Sequence, residues 1–272
     1  MAIKRYQKII TPFLMGQRRE GLSRIRGIDS DSWKVLEVPE FKETEITDSD
    51  EKIQRMGKIY SALSEKVKDI VDEGLIPVSL AGDCVSTLGV LAGLQKAGKQ
   101  PDRILWLDAH GDFHTWETTQ TKYIGGMPLA MLIGRGDQRI SGAVGLSPYP
   151  ENQTILSDAR DLDQGEQKAL RDSKIIKCTI GDIFEHLSQD ESIYLHWDTD
   201  VVDAEEEMPA LKYHAKSGPT YSEMETLFEG LANKNIIAIS VSAWHEEKDL
   251  DNKTAIASLK LLNWLGISSS LN

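Results

Sequence analysis

Residues Ile104–Thr115 read ILWLDAHGDFHT: four apolar residues, then a polar run that carries Asp108, His110, Asp112 and His114. A short apolar run that ends abruptly in turn-forming and ligand-type residues predicts a buried strand with chemistry at its carboxyl end. The same transition recurs on either side. IPVSL, which starts at Ile76, gives way to AGDC with Asp83 and Cys84, and IYLHW, which ends at Trp197, gives way to DTD with Asp198 and Asp200.

Helices are predicted between such strands. From Ser49 to Gly74 the apolar residues Ile53, Met56, Ile59, Leu63, Val67, Ile70 and Val71 recur at three- and four-residue spacing, the pattern of an amphipathic helix. Asp48 and Asp50 supply capping groups and Gly74 a stop. A second helix is predicted from near Ser86 through Leu94, with Gly98 as its breaker. Strands at Thr154–Leu156, Ile175–Ile176, Ser192–Trp197 and Ile236–Val241 then alternate with helices around Gln164–Asp172, Tyr221–Asn233 and Lys253–Leu265. Short apolar strands separated by helices predict a parallel sheet covered on both faces. No composition shift, Pro-rich linker or repeat divides the chain, so residues 1–272 are expected to form one α/β domain.

The 272 residues include 31 Lys+Arg against 43 Asp+Glu, a formal net charge of -12, with 40% hydrophobic and 27% charged residues. This is a globular composition, which excludes a disordered chain or a disulfide-stapled miniprotein. The acid excess argues against non-specific binding to nucleic acid or an anionic membrane, both of which need clustered Lys and Arg. Cationic partners, either metal ions or guanidinium and amine substrates, fit better, alongside an ordinary solvated surface. No apolar run approaches the roughly 20 residues that span a bilayer. The opening MAIKRYQKII lacks a signal-peptide core, so a cytoplasmic location is expected, with Cys84 and Cys178 as free thiols.

In open parallel sheets, ligands sit beyond the carboxyl ends of the strands. A single Asp there is commonly a helix cap. Several carboxylates converging in one crevice would repel one another and retain protons unless cations neutralised them. Oxygen-rich donors with one or two nitrogens suit Mn²⁺ better than a structural Zn²⁺ site. A pair of such ions about 3.5–4 Å apart can activate one water, which predicts a hydrolase.

At these residues the sequence resembles the ureohydrolases, the arginase and agmatinase family. The matching stretches are AGDC followed by a helix, LDAHGDFHT, the Gly-Met-Pro of GGMPLAMLIG, ARDLDQGE, and HWDTDVVDAEEEMPA, spanning about Val78 to Glu247. The resemblance implies a three-layer α/β/α fold around a mainly parallel sheet, a binuclear manganese centre and a homo-oligomer. It makes Asp108 and Asp198 bridging ligands, adds His110 and Asp200 to one ion, and adds Cys84 and Asp112 to the other. Asp112 would orient the bridging hydroxide and take its proton. Attack on a guanidino carbon would then yield an amine and urea.

Departures from the family pattern are equally specific. Cys84 stands where the family usually has a metal-binding His, as it does in sequences similar to hydroxyarginine hydrolases. A thiolate holds Mn²⁺ weakly, so that site is expected to be weak, selective for another metal, or empty, and a buried inert thiol is the alternative. The family's proton-shuttling His falls at Gly125, which leaves His114 as its candidate replacement. His114 also occupies the place of an Asn that reads the substrate α-carboxylate. Trp116 offers a stacking wall or packs at a loop base, and Thr119 joins the substrate-binding candidates. Asp163 matches an acid near the substrate amino group and is equally a helix cap. The Glu that pairs with guanidinium aligns with Ala243, leaving Glu246 or Glu247 as replacements if the strand end is shifted.

The expectation is a metal-dependent ureohydrolase acting on a guanidino small molecule or an Arg-containing peptide. Peptidyl arginine is favoured over N-hydroxyarginine by the loss of the α-carboxylate-reading Asn. A noncatalytic scaffold is the reading from another class, supported by Cys84, Gly125 and Ala243.

Overall fold

The computed structural model describes residues 4–29, 33–38, 46–242 and 244–267. The chain opens with β1 (Tyr6–Thr11), a small hairpin of β2 (Phe13–Leu14) and β3 (Gln17–Arg18), a single turn α1 (Ile25–Ile28), and β4 (Lys34–Val35). Next come α2 (Ser49–Asp72), β5 (Ile76–Ala81), α3 (Ser86–Lys96) and β6 (Arg103–Asp108), followed by the short helices α4 (Pro128–Leu132) and α5 (Arg139–Val144). The remainder is β7 (Thr154–Asp158), α6 (Gln164–Arg171), β8 (Ile176–Cys178), β9 (Ser192–Asp198), α7 (Tyr221–Leu231), β10 (Asn235–Ser242) and α8 (Lys253–Trp264).

Among the described residues, eight strands form one sheet in the order β4-β1-β5-β10-β9-β6-β7-β8. Every pairing within it is parallel. Alternate side chains of the central strands enter opposite layers, as the two-residue period of a strand requires. Ile104, Trp106 and Tyr194 join one core with residues of α2, α3, α4 and α5. Leu105, Leu107, Leu195 and Trp197 join the other, against Phe228 of α7 and Leu259 of α8. These are the three α/β/α layers expected from the sequence.

Local chemistry sets the element ends. Asp48 caps α2 by accepting from Glu51 N at 2.7 Å, and Gly74, at φ +74°, turns the chain out of the helix. Thr220 and Glu223 form a reciprocal capping box at the start of α7. Helix α3 lies almost flush on α2 through Gly89 and Gly93. A Cβ on Gly93 would sit 2.6 Å from Ser64 O and from Val67 Cβ.

Besides the β2–β3 hairpin, two strands of the main sheet were not expected. β1 contains Gln7 and Lys8, which break its apolar run, yet Lys8 is buried with its Nζ 2.7 Å from Asp29. β4 is only two residues long. The strand predicted at Ile175–Ile176 forms slightly later, over Ile176–Cys178.

The order β5-β10-β9-β6 sets up the site. β5 and β6 are consecutive through α3, but they leave two places between them that β9 and β10 fill late in the chain. The loops after β5, β9 and β6 therefore converge at one end of the sheet, in the crevice where open α/β sheets hold ligands.

Candidate metal centre

Each strand end delivers its side chains through local hydrogen bonds. After β5, Asp83 locks the loop by accepting from Tyr60 OH at 2.5 Å and Met15 N at 2.7 Å, which presents Cys84 to the crevice. Asp108 closes β6 and accepts from His110 N at 2.8 Å and Trp106 Nε1 at 3.1 Å. Asp198 closes β9, accepting from Asp200 N at 3.0 Å and from Cys84 Sγ at 2.8 Å. His110 Nδ1 lies 3.3 Å from the Asp108 carboxylate and 3.4 Å from that of Asp200.

Asp112 has φ +50°, a left-handed conformation costing a non-glycine residue on the order of 1–3 kcal/mol. Its carbonyl accepts from Leu129 N at 3.0 Å and Ala130 N at 3.2 Å in the first turn of α4. His114 N donates to Gly126 O at 3.0 Å. The GGMPLA and DAHGDFH segments are thus fastened together, and the strained residue is held at the site.

A cavity of about 280 Å³ opens here. All six expected metal ligands line it: Cys84, Asp108, His110, Asp112, Asp198 and Asp200. His114 and Asp163 line it too. Asp163 caps α6 by accepting from Glu166 N at 3.0 Å while its other oxygen lies 3.3 Å from His114 Nε2, so the capping and cavity readings hold together.

Three expected substrate contacts do not line the cavity. Trp116 is turned away by the hydrogen bond from its Nε1 to Asp137 at 2.8 Å. Thr119 Oγ1 is taken up in its own turn, 3.2 Å from Lys122 N and 3.4 Å from Thr121 Oγ1. Glu246 is packed over Gly21, where a Cβ would sit 2.2 Å from its Cγ, and its carbonyl accepts from Arg24. Glu247 is paired with Arg19. Ala243, the aligned position, lies outside the described residues.

The cavity also contains groups that the sequence did not single out. The Tyr123 ring fills the space beside Gly125, where a Cβ would come within 2.2 Å of it. An aromatic ring therefore occupies the space at Gly125, the position to which the family resemblance assigns an imidazole. The Tyr213 ring lies 6.0 Å from that of Tyr123 and 6.2 Å from that of His110. Glu166, buried in α6, accepts from Phe113 N at 2.9 Å, and Lys212 donates to Gly82 O. Glu166 was visible in DLDQGE as a helix residue only, and the LKYHAK loop gave no pattern that pointed inward.

Electrostatics test whether the donors fit a metal pair. Burial, then the neighbouring Asp108, pushes Asp112 well above the usual carboxylate range, and burial, then Asp200 and Asp108, does the same to Asp198. Burial and Asp108 raise Asp200 to about 6. Burial, with Asp198 next, raises the Cys84 thiol. Burial also acts on Asp108 and His110, but their mutual contact outweighs it: Asp108 is held low, and His110, also facing Asp200, rises to about 12. Burial holds His196 down to about 3, as a neutral ring. Left to itself, this anionic cluster retains protons.

Asp112 Oδ2, Asp200 Oδ1 and His196 Nε2 are moreover buried without a hydrogen-bond partner among the described residues. Unsatisfied buried acceptors are costly, and a cation satisfies them. Ligand atoms of Asp108, His110 and Asp200 fall within 4.8 Å of one another, as do those of Cys84, Asp108 and His196. The residues fit a pair of divalent ions.

Comparisons with known proteins agree with this architecture. The arginase family profile matches residues 17–265. An arginase of Bacillus subtilis (strain 168) is 29% identical over 235 residues, covering 79% of this chain and 78% of its own. The N(omega)-hydroxy-L-arginine amidinohydrolase of Streptomyces lavendulae is 26% identical over 224 residues, covering 80% and 73%. The crystal structure of the arginase from Bacillus cereus superposes with a TM-score of 0.82 at 25% identity, covering 98% of this chain and 100% of that one.

Proposed function

The chain belongs to the arginase family, and from that premise we propose that it hydrolyses the guanidino group of an arginine-like substrate, releasing urea and leaving an ornithine-like amine. In this reading His110 and Asp200, with Asp108 and Asp198, would hold Mn²⁺, and Cys84 and Asp112 would hold a second divalent ion beside it. The observation that carries the reading is the set of unpartnered carboxylate oxygens on Asp112 and Asp200, buried at the meeting point of three strand ends.

When bound, the ions would keep these aspartates ionised and supply a water of lowered pKa as nucleophile. The chain's own residues do the rest. Asp112, with its free Oδ2 in the cavity wall, takes a proton from the attacking water and returns it to the departing nitrogen. A guanidinium plus water becomes an alkylammonium plus urea, with the carbon–nitrogen bond to the side chain broken. His114 and Asp163, 3.3 Å apart, together with Glu166 hold the far end of the substrate. The rings of Tyr123 and Tyr213 offer faces to a planar cation.

The make-up of the cavity supports reading the substrate as peptidyl arginine. Among the described residues lining it, Lys212 is the one ammonium, and it is engaged by Gly82 O. Asp161, Asp163 and Glu166, which are not among the metal ligands, also line the cavity, so a free α-carboxylate would meet repulsion there that a peptide bond avoids. At about 280 Å³ the cavity is at the small end of ligand sites, roughly 300–1,000 Å³, and admits one side chain rather than a folded segment.

The test measures urea released with added Mn²⁺ from arginine, agmatine, N-hydroxyarginine and an Arg-containing peptide in parallel. Fastest release from the peptide is expected. Faster release from free arginine would overturn the peptidyl assignment, and no urea from any of the four would favour a noncatalytic scaffold.

A further inference from the structure

β9 carries a histidine just below the metal centre that the proposed reaction does not use. His196 is completely buried at 0% exposure, with its ring centroid 4.1 Å from that of Trp106. Its Nδ1 lies 2.8 Å from Ser240 Oγ, on the residue directly paired with it in β10. Ser240 Oγ is in turn 2.5 Å from Tyr194 OH. One nitrogen of the ring is therefore fixed by a side-chain chain across the sheet.

The other nitrogen, Nε2, is buried and has no hydrogen-bond partner among the described residues. A ring nitrogen of His196, Cys84 Sγ and an Asp108 carboxylate oxygen all lie within 4.8 Å of one another, close enough to surround one ion, and Nε2 is the nitrogen left without a partner. A histidine with one nitrogen held by a side-chain hydrogen bond and the other left free has the arrangement of metal-binding imidazoles, whose second nitrogen is likewise fixed by a partner. A sulfur, a nitrogen and a carboxylate oxygen form a softer donor set than the carboxylates and imidazole of Asp108, His110 and Asp200, and thiolate with imidazole selects Zn²⁺ or Co²⁺ over Mn²⁺.

We propose that His196 binds metal through Nε2 and, with Cys84 and Asp108, forms a soft site that takes Zn²⁺ or Co²⁺ in preference to Mn²⁺ beside the harder His110 site. The proposal rests on the metal reading of the same centre. It gives Cys84 a partner suited to it: the thiol proton now shared with Asp198 leaves to solvent, and the thiolate meets an ion of matching softness.

Co²⁺ is added anaerobically to metal-free wild type, Cys84→Ser and His196→Phe, and the thiolate-to-cobalt charge-transfer absorption is followed. The band is expected in the wild type and absent in Cys84→Ser. In His196→Phe, which keeps a ring in the core, the affinity that produces the band should fall by at least about 100-fold, beyond what losing an outer-shell partner alone costs. Because His196→Phe can fail to fold, the wild type is also loaded with ¹¹³Cd²⁺ after ¹⁵N-histidine labelling. The account predicts one cadmium-coupled Nδ1, from His110, and one cadmium-coupled Nε2, from His196. Unchanged affinity in the variant, or no coupled Nε2, overturns the role of His196 while leaving the proposed hydrolysis standing if urea is still released. A wild type that takes up no metal at all overturns both.

Discussion

Glu166 sits in the cavity wall with its carboxyl pushed up to about 7, first by burial and then by Asp108 and Asp163, against the bond it accepts from Phe113 N. An acid whose native pKa is raised keeps its proton in the folded chain after the unfolded chain has lost it. Its destabilising effect is absent below the unfolded pKa of about 4.5, grows between about 4.5 and 7, and is complete above that. Glu166→Gln keeps an acceptor for Phe113 N and should stabilise metal-free protein by up to about 3 kcal/mol at pH 8, with no gain at pH 4. Urea unfolding at the two pH values measures this, and equal gains at both would show that charge is not the cause. The metal-ligand candidates could be read from sequence because each interrupts an apolar run at its end. His196 could not, because it sits inside the run IYLHW, where one polar residue is indistinguishable from a satisfied core histidine. Trp116 and Glu246 were misplaced because a loop's direction depends on partners far away in the chain, here Asp137 and the turn at Gly21.

At the scale of elements, α2 and α3 pack closely, and their contact depends on missing side chains. A methyl at Gly93 meets Ser64 O and Val67 Cβ at 2.6 Å, and one at Gly89 meets Tyr60 O at 2.7 Å. Backbone atoms cannot rotate aside, so the helices must part. Gly93→Ala should therefore cost about 1–3 kcal/mol despite alanine's better helix propensity, read as a lowered midpoint in urea. A neutral or stabilising result would mean that the pair yields without penalty. Helix α2 was legible almost to the residue because its apolar stripe, Asp48 cap and Gly74 stop all agree. β1 and β4 were not, since one buries Lys8 against Asp29 and the other is too short to show a period.

For the whole molecule, alternating strands and helices announced a parallel sheet with two covered faces, and the family motifs announced its layers. The strand order lay beyond the local pattern. That β9 and β10 insert between β5 and β6 follows from which faces pack together, and this insertion brings Cys84, Asp108 and Asp198 to one point. The net charge of -12 likewise gains meaning only from placement: part of the surplus is buried at a site that lacks enough positive charge of its own. The most direct test of the account compares urea release by the wild type and Asp112→Asn, loaded with Mn²⁺ and with bound metal counted in both. The account predicts Mn²⁺-dependent release by the wild type and a loss of about 10²–10⁴-fold in the variant, the usual cost of removing a general base. No urea from the fully loaded wild type, or undiminished release by Asp112→Asn, would contradict it.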